Sequence, residues 1–238
     1  MCNRYAPPRP QDIAQRWAPR QAVVRFPAGP VFPRAPGPFV RVRRSRDDNG
    51  TGPVEAPGVE VVVGQWGLVP WFAKSARLPY STNNARFEEL AAKASYRQPW
   101  ARGQRCIIPA VWFDEPCWET GRNVWWRFRR ADGQAWALAG LWNTWVDPGS
   151  GEVVESYTML TLNADAHPLM NRMHKPDPSL PPDRQDKRSV VVLRAQDEAA
   201  WLHGSPAEAA AVVGLAPVEV FDAAPVEPTG GTPDLLGP

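Results

Sequence analysis

Apolar runs with strand-like spacing dominate the hydrophobic pattern of the chain. Five such runs combine β-branched or aromatic residues with flanking turn formers, at residues 59–69, 123–130, 134–146, 156–162 and 189–193. The Asp132-Gly133 dipeptide predicts a hairpin turn between the second and third runs, and "DPGSG" at 147–151 predicts a turn into the fourth. The pattern therefore predicts three consecutive antiparallel strands.

Helix-like spacing is less frequent and occurs in short segments. The candidate helices are residues 10–17, 85–96, 163–174, 196–204 and 205–215. Because strands dominate and do not alternate regularly with helices, we expect an α+β fold with a mainly antiparallel, bent or barrel-like β-sheet and a few short helices.

The domain organisation follows from where Pro, Gly and polar residues accumulate. No linker-like stretch divides the middle of the chain, so we expect a single domain over residues 1–222. The Pro-rich and Gly-rich residues 223–238 are expected to form a disordered tail. Residues 175–188, "KPDPSLPPDRQDKR", are expected to form a long surface loop.

The 28 prolines and 12 tryptophans are the unusual features of the composition. Tryptophan can serve a core, an interface or a surface on which nucleobases stack. The net charge of only +2 excludes a uniformly basic, histone-like protein, so any nucleic-acid site must be a local patch. Candidate patches are "RVRRSR" at 41–46 and "WWRFRR" at 125–130, for which a solvated charged face is the alternative.

The N-terminal residues lack the apolar core of a signal peptide, and no segment approaches the roughly 18 apolar residues of a membrane span. We therefore expect no membrane association and a cytoplasmic location. In that reducing compartment, three cysteines without a C-x-x-C motif argue against a disulfide framework. Cys106 is expected in the core. We expect no metal or other cofactor, with a structural zinc site that uses His167 or His174 as the alternative.

Cys2 gives the start of the chain a specific chemistry. Removal of the initiator Met before a small residue would expose an amine and a thiol on adjacent carbons of Cys2. An α-amine has a pKa of about 7.7–8.0, so a useful fraction is nucleophilic at neutral pH. With an aldehyde, the amine forms a Schiff base and the thiol can close on the imine carbon to give a thiazolidine. The alternative is an incidental residue on a frayed terminus.

After "MCNRY" at the start of the chain, four blocks follow in order: "WGLVPWFAK" from Trp66, "NNARFEE", "RCIIPAVWFDEP" and "TLNADAHPLMNRMHK". With these blocks the sequence resembles the SRAP family, the SOS response-associated peptidase proteins that covalently capture abasic sites in single-stranded DNA. "MCNRY" is similar to the start of the family, "WGLVPWFAK" to its Trp-Gly-Leu-Ile-Pro block, "NNARFEE" to its Asn-Ala-Arg-x-Glu block, and "TLNADAHPLMNRMHK" to the block that holds its catalytic His. "RCIIPAVWFDEP" is similar to the block that holds the family's catalytic Glu, although Trp112 replaces a Gly and Pro116 replaces a Trp. The resemblance covers Met1 to about Leu193.

The resemblance implies catalytic roles for Cys2, Asn84, Glu115 and His174, with His167 as the alternative histidine. A partly buried Glu115 can take protons from the amine and the thiol, and a histidine that titrates near neutrality can open the sugar and help to expel water. Asn84 can fix the terminus and the adduct through hydrogen bonds without adding charge.

The resemblance places arginines of the family on Arg86 and Arg188. The chemistry of the side chains adds further candidates, since arginines can hold phosphates and tryptophans can stack on bases; these are Arg4, Arg41, Trp66 and Trp71. In the family, the catalytic histidine and the arginine aligned with Arg188 lie close together in sequence. Arg188 therefore matches that arginine only if a long insertion follows His174. The implied partner is single-stranded DNA that contains an abasic site, bound by a monomeric protein that is nucleoid-associated when on DNA.

The implied function is that of an abasic-site sensor whose thiazolidine crosslink shields the site. The family name implies peptidase, hydrolase or lyase labels, and a Schiff base could in principle permit β-elimination, which is a lyase reaction. Two alternatives remain open. One is a non-covalent single-stranded nucleic-acid binding module in which Cys2 is idle. The other is an N-terminal-nucleophile amidohydrolase that uses Cys2 alone, which leaves the Arg-rich and Trp-rich blocks unexplained.

Overall fold

The computed structural model describes residues 2–43 and 58–227, and β-strands form most of the regular structure in these ranges. The strands are β1 (Arg4–Ala6), β2 (Pro36–Val42), β3 (Val59–Trp66), β4 (Asn84–Arg86), β5 (Arg105–Ala110), β6 (Trp112–Cys117), β7 (Val124–Arg130), β8 (Trp136–Val146), β9 (Val153–Asn163), β10 (Arg188–Val190) and β11 (Phe221–Pro225). The α-helices are α1 (Pro10–Trp17), α2 (Ala94–Ala101), α3 (Glu198–His203) and α4 (Pro206–Ala211).

Five strands close into a barrel in the order β9-β3-β2-β5-β8, because β8 also pairs with β9. The β3–β9 pairing is parallel, and the other four pairings of the barrel are antiparallel. Strands β4 and β10 add to β9 outside this ring. The predicted α+β class with a mainly antiparallel, barrel-like sheet and short helices is confirmed.

A second sheet has the order β1-β6-β7-β11 and carries the N-terminal residues on its edge strand β1. The predicted hairpin of the second and third runs is wrong, since β7 pairs with β6 and β11 whereas β8 pairs with β5 and β9. The turn itself exists, with Gly133 at a φ of 73° and its amide bonded to the Arg130 carbonyl. It moves the chain from one sheet to the other instead of closing a hairpin. The β8–β9 hairpin is confirmed.

Two apolar clusters fill the molecule, and strand β5 contributes to both. Cys106 and Ile108 belong to the cluster that also contains Cys2, whereas Ile107 faces the cluster covered by α1 and α3. The continuous apolar run of β5 is typical of a strand buried on both faces. All three cysteines are buried and free, which confirms the expected core position of Cys106.

Two predicted helices are replaced by other structure. Residues 84–86 form a strand because they pair in parallel with β9, and α2 begins only at Ala94. The segment predicted as a helix from Asn163 contains only a 3₁₀ turn at Met170–Arg172. Tertiary pairing therefore overrides the local helical spacing in both segments.

The C-terminal boundary also differs from the prediction. Strand β11 runs to Pro225, and Val226 donates its amide hydrogen to the Trp125 carbonyl, so ordered pairing continues past residue 222. The rest of the predicted tail, residues 228–238, and residues 44–46 of the "RVRRSR" patch lie outside the described residues. No helix within 2–43 or 58–227 is long and apolar enough to cross a bilayer.

Candidate active site around Cys2

Cys2 is fixed in the protein rather than frayed. Its side chain is fully buried, its thiol lies 3.5 Å from the Arg4 carbonyl, and it packs in the same apolar cluster as Tyr5. Burial, with a further contribution from the negative charge of Glu115, raises the pKa of the Cys2 thiol well above its ordinary value. The thiol is therefore protonated at neutral pH.

Two adjacent asparagines hold the backbone of Cys2. Asn84 Nδ2 donates to the Cys2 carbonyl at 2.7 Å, and Asn83 Nδ2 donates to the same carbonyl at 3.3 Å and to Asn3 Oδ1 at 3.0 Å. The parallel pairing of β4 with β9 sets the position of both side chains. Asn83 is a site residue that the sequence analysis missed, although the Asn-Asn pair in "NNARFEE" was the available signal.

Glu115 lies in the middle of β6 with only 1% of its surface exposed. Burial raises the pKa of this carboxyl, but the positive charge of the amino terminus and the hydrogen bond with His174 outweigh burial, and the net shift is downward. The carboxylate is therefore ionised at neutral pH beside the chain's first residues. Trp112 and Pro116 leave β6 continuous across Glu115, so these departures from the family pattern do not interrupt the strand.

His174 completes the cluster, with Nε2 at 2.9 Å from Oε2 of Glu115. Its backbone has a positive φ of 63°, its amide donates to the Pro116 carbonyl at 2.6 Å, and its carbonyl accepts from Lys187 Nζ at 2.6 Å. Lys187 Nζ also donates to the Met173 carbonyl at 2.7 Å. The lysine thus bridges two successive carbonyls and holds the unusual backbone that aims the imidazole at Glu115.

His167, the alternative histidine, is fully engaged elsewhere. Its Nε2 lies 2.8 Å from the Ala216 carbonyl and must donate, while its Nδ1 accepts the amides of Leu169 and Met170. This ring is a structural element of a turn. The geometry favours His174 over His167 as the partner of Glu115.

Two buried polar atoms of the cluster have no hydrogen-bond partner among the described residues, namely Asn84 Oδ1 and His174 Nδ1. Buried polar atoms are usually satisfied, and exceptions are common where a substrate binds. The site therefore combines a buried cysteine, a carboxylate-imidazole pair and unused hydrogen-bonding capacity. Such a site suits nucleophilic attack on a carbonyl with proton transfer.

The structure corrects the role predicted for Trp66. Its indole is fully buried and donates from Nε1 to the Asn83 carbonyl at 2.8 Å, so it offers no face on which a base can stack. This hydrogen bond fixes the backbone of Asn83, the first residue of the asparagine pair. Trp71 differs, since it is 63% exposed with Phe72 packed edge-to-face against it.

Arg41 and Arg188 are also corrected as phosphate-binding residues, because both are buried and neutralised. Arg41 pairs with Glu60 and Glu155. Arg188 pairs with Glu88 and Asp186. Its guanidinium also donates to the Thr161 carbonyl. Buried arginines with matched carboxylates are structural ion pairs, and withdrawing one would leave a buried charge.

Arg4 and Arg86 remain partly accessible. Arg86 pairs with Glu89 and Asp186 on the surface. Arg4 bonds to the fully buried Asp114, which also accepts two hydrogen bonds from Arg127. Asp114 thereby ties β1, the strand that follows Cys2, to β6 and β7.

The fold and the site together define a class of protein, a barrel with an attached sheet that holds Cys2 in the same site as a hydrogen-bonded Glu115–His174 pair. The family model described as "SOS response associated peptidase (SRAP)" matches residues 1–231. The chain belongs to the SRAP family.

Relatives and a solved structure agree with this assignment. The chain is 32% identical over 142 residues to the abasic site processing protein YoqW of Bacillus subtilis, a match that covers 58% of this chain and 55% of that protein. It is 29% identical over 138 residues to the abasic site processing protein HMCES of Xenopus tropicalis, covering 49% of this chain and 40% of that protein. The match thus spans about half the length of these curated relatives.

A crystal structure of a protein from Bordetella bronchiseptica is similar over 95% of this chain and 100% of that chain, with a TM-score of 0.78 and 31% identity. A structure from Bacteroides thetaiotaomicron covers 71% of this chain and 70% of that chain, with a TM-score of 0.59 and 25% identity. The barrel and its attached sheet are therefore a shared architecture.

Proposed function

We propose that this protein processes abasic sites in DNA by forming a covalent thiazolidine between Cys2 and the aldehyde of the ring-opened sugar. The proposal is supported most by the convergence of Cys2, Asn84, Glu115 and His174, which combines the buried Cys2 and Glu115 with the partly buried Asn84 and His174. The names of the relatives, which are abasic site processing proteins, support the same substrate.

The reaction balances without a redox partner. Once Met1 is removed, the neutral amine of Cys2 attacks the sugar C1′ and forms a carbinolamine, which loses one water to give the imine. The thiol sulfur then adds to the imine carbon, and the thiol proton passes to the nitrogen. The sum is aldehyde plus aminothiol giving thiazolidine plus water, and the second ring-forming step benefits from being intramolecular.

Glu115 and His174 supply the proton transfers in this account. The ionised Glu115 accepts a proton from the attacking amine and later from the thiol, whose pKa is too high for spontaneous ionisation. His174 opens the cyclic sugar and protonates the departing hydroxyl of the carbinolamine. The hydrogen bond between the two side chains allows them to exchange the proton between steps.

The product shields the abasic site. An imine at C1′ would permit β-elimination and strand cleavage, which is the lyase reaction, and closure by the thiol removes the imine. Trp71 and Arg86 are exposed enough to stack on a base and to hold a phosphate of a single strand, with Arg4 nearer to Cys2.

The test is incubation with a single-stranded oligonucleotide that contains one abasic site, followed by denaturing electrophoresis. The wild type should form an adduct that survives denaturation. Cys2→Ser and Cys2→Ala keep the terminal amine, so each should form only an imine that borohydride traps and that hydrolyses otherwise. An equally stable adduct with Cys2→Ala, or no adduct with the wild type, would reject the proposal; binding without an adduct would favour the non-covalent module.

A further inference from the structure

A cleft of about 280 Å³ lies between the segment before β2 and the loop of residues 76–83. Buried residues form its floor, including Trp66 and Gly67, while Arg34 and Tyr80 stand at its exposed rim. Asn83 closes the inner end. The cleft has polar and apolar walls and opens to solvent.

The inner wall of this cleft is also a wall of the Cys2 site. Asn83 Nδ2 donates to the Cys2 carbonyl at 3.3 Å and to Asn3 Oδ1 at 3.0 Å from its position at the end of the cleft. One side chain therefore separates the cleft from the residue that reacts. The cleft and the Cys2 site are therefore neighbours that share Asn83.

The rim presents planar groups of the kind that bind nucleobases. Tyr80 is 44% exposed, and Arg34 is exposed with its guanidinium held by a hydrogen bond to the Leu78 carbonyl at 2.9 Å. Aromatic rings and guanidinium planes stack on unpaired bases of single strands.

Gly67 contributes no side chain to the floor of the cleft. Gly67 has a φ of 145°, and a Cβ atom at this position would point between Thr82 Oγ1 at 3.6 Å and Gln65 Nε2 at 3.8 Å. A side chain at residue 67 would therefore project between two residues that line the cleft. The hydroxyl groups of Ser81 and Thr82 add hydrogen-bonding capacity for the edge of a base.

We propose that this cleft binds the unpaired nucleobase of the nucleotide next to the abasic site. This inference rests on the proposed function and adds a contact that recognises the flanking nucleotide. The base would stack against Tyr80 and Arg34 while the adjacent abasic sugar enters the Cys2 site. Single-stranded substrates satisfy this requirement because their bases are free to leave the stack.

The experiment uses single strands with a central tetrahydrofuran spacer, which resembles an abasic sugar but has no aldehyde. In two further strands, a second spacer replaces the 5′ or the 3′ neighbour, which removes one base and keeps the phosphates. Fluorescence anisotropy measures the affinity of each strand for the wild type, Tyr80→Ala and Tyr80→Phe.

Loss of the neighbouring base on one side should weaken binding to the wild type and to Tyr80→Phe by about fivefold or more. The same loss should weaken binding to Tyr80→Ala much less, because only the Arg34 guanidinium remains as a stacking plane. Equal affinities of all strands for the wild type, or an undiminished base effect in Tyr80→Ala, would overturn the inference.

The failure of this inference is distinguishable from the failure of the proposed function. Spacer strands cannot form an adduct, so their affinities report on the cleft alone. Strands with a true abasic site, tested in parallel by denaturing electrophoresis, report on the covalent reaction alone.

Discussion

Nε2 of His174 lies 2.9 Å from Oε2 of Glu115, although the two residues come from segments with different secondary structure. The segment before His174 runs antiparallel to the end of β6, through a bridge between Cys117 and Met173 and a hydrogen bond from the Trp118 amide to the Arg172 carbonyl. This backbone pairing brings the two side chains together. The distance between Glu115 and His174 therefore depends on the pairing of the two backbone segments.

Lys187 should act as a positioning residue for His174. In Lys187→Met the carbonyls of Met173 and His174 lose their buried donor, which should cost about 1–3 kcal/mol of unfolding free energy for each carbonyl. Displacement of the imidazole should slow adduct formation about ten- to a hundredfold at saturating DNA. Urea unfolding and single-turnover kinetics measure the two effects.

The matched control is Lys175→Met, at the exposed other end of the same loop, which should change neither quantity appreciably. A rate effect through His174 should disappear when Lys187→Met is added to His174→Ala. An undiminished effect of Lys187→Met on the rate in that background would show that Lys187 acts by another route.

The lowered pKa of Glu115 predicts a specific dependence of stability on pH. The folded protein binds this proton less tightly than the unfolded chain, so ionised Glu115 stabilises the fold above the ordinary pKa of about 4.5, and this contribution is lost as the pH falls below that value. The free energy of unfolding should therefore fall more steeply in the wild type than in Glu115→Gln between pH 5 and pH 3. Urea titrations at several pH values measure both; parallel curves would show that the shift is absent.

Trp66 and Trp71 should give opposite results in a matched pair of substitutions. Trp66→Ala should lose about 3–5 kcal/mol of stability, because it empties a core position and removes the donor to the Asn83 carbonyl. Trp71→Ala should leave stability nearly unchanged and weaken single-stranded DNA binding by about 1–3 kcal/mol. Thermal unfolding and anisotropy distinguish them. A fully stable Trp66→Ala that has lost DNA affinity would contradict the core assignment.

Arg41 and Arg86 form a second matched pair. Arg41→Met should destabilise the fold by about 3–5 kcal/mol, because Glu60 and Glu155 lose their buried partner, and should leave the salt dependence of DNA binding unchanged. Arg86→Gln should instead lower the slope of log affinity against log salt concentration by about one. Binding isotherms over a range of salt concentrations test this, and an unchanged slope in Arg86→Gln would remove that arginine from the DNA interface.

The sequence predicted the parts of this site that local pattern and short motifs encode. Cys2, Asn84 and Glu115 belong to recognisable blocks, and the barrel strands have strong apolar runs. The sequence did not predict that Arg41 and Arg188 are neutralised, because each has one acidic partner that is distant in the chain; the spacings are 114 residues for Arg41–Glu155 and 100 for Arg188–Glu88. Burial of Trp66 likewise depends on tertiary packing, which single-residue chemistry does not reveal.

The fold shows the same limit at residues 84–96 and at the turn after β7. The spacing of "ARFEELAAKASY" fits a helix, but pairing with β9 makes its first residues a strand. Asp132-Gly133 correctly predicts a turn. The chain does not fold back on β7 after this turn, because β7 pairs with β11 and β8 pairs with β5. Long-range pairing is set by the whole chain rather than by a window of it.

The most direct test of the central claim is intact mass spectrometry of the wild type under denaturing conditions, after incubation with a single-stranded oligonucleotide that contains an abasic site. The expected species has the mass of the chain without Met1, plus the oligonucleotide, minus one water; it forms without a reductant and is absent for Cys2→Ala. An adduct on a chain that retains Met1, or a Met1-free chain that forms no adduct, would contradict it.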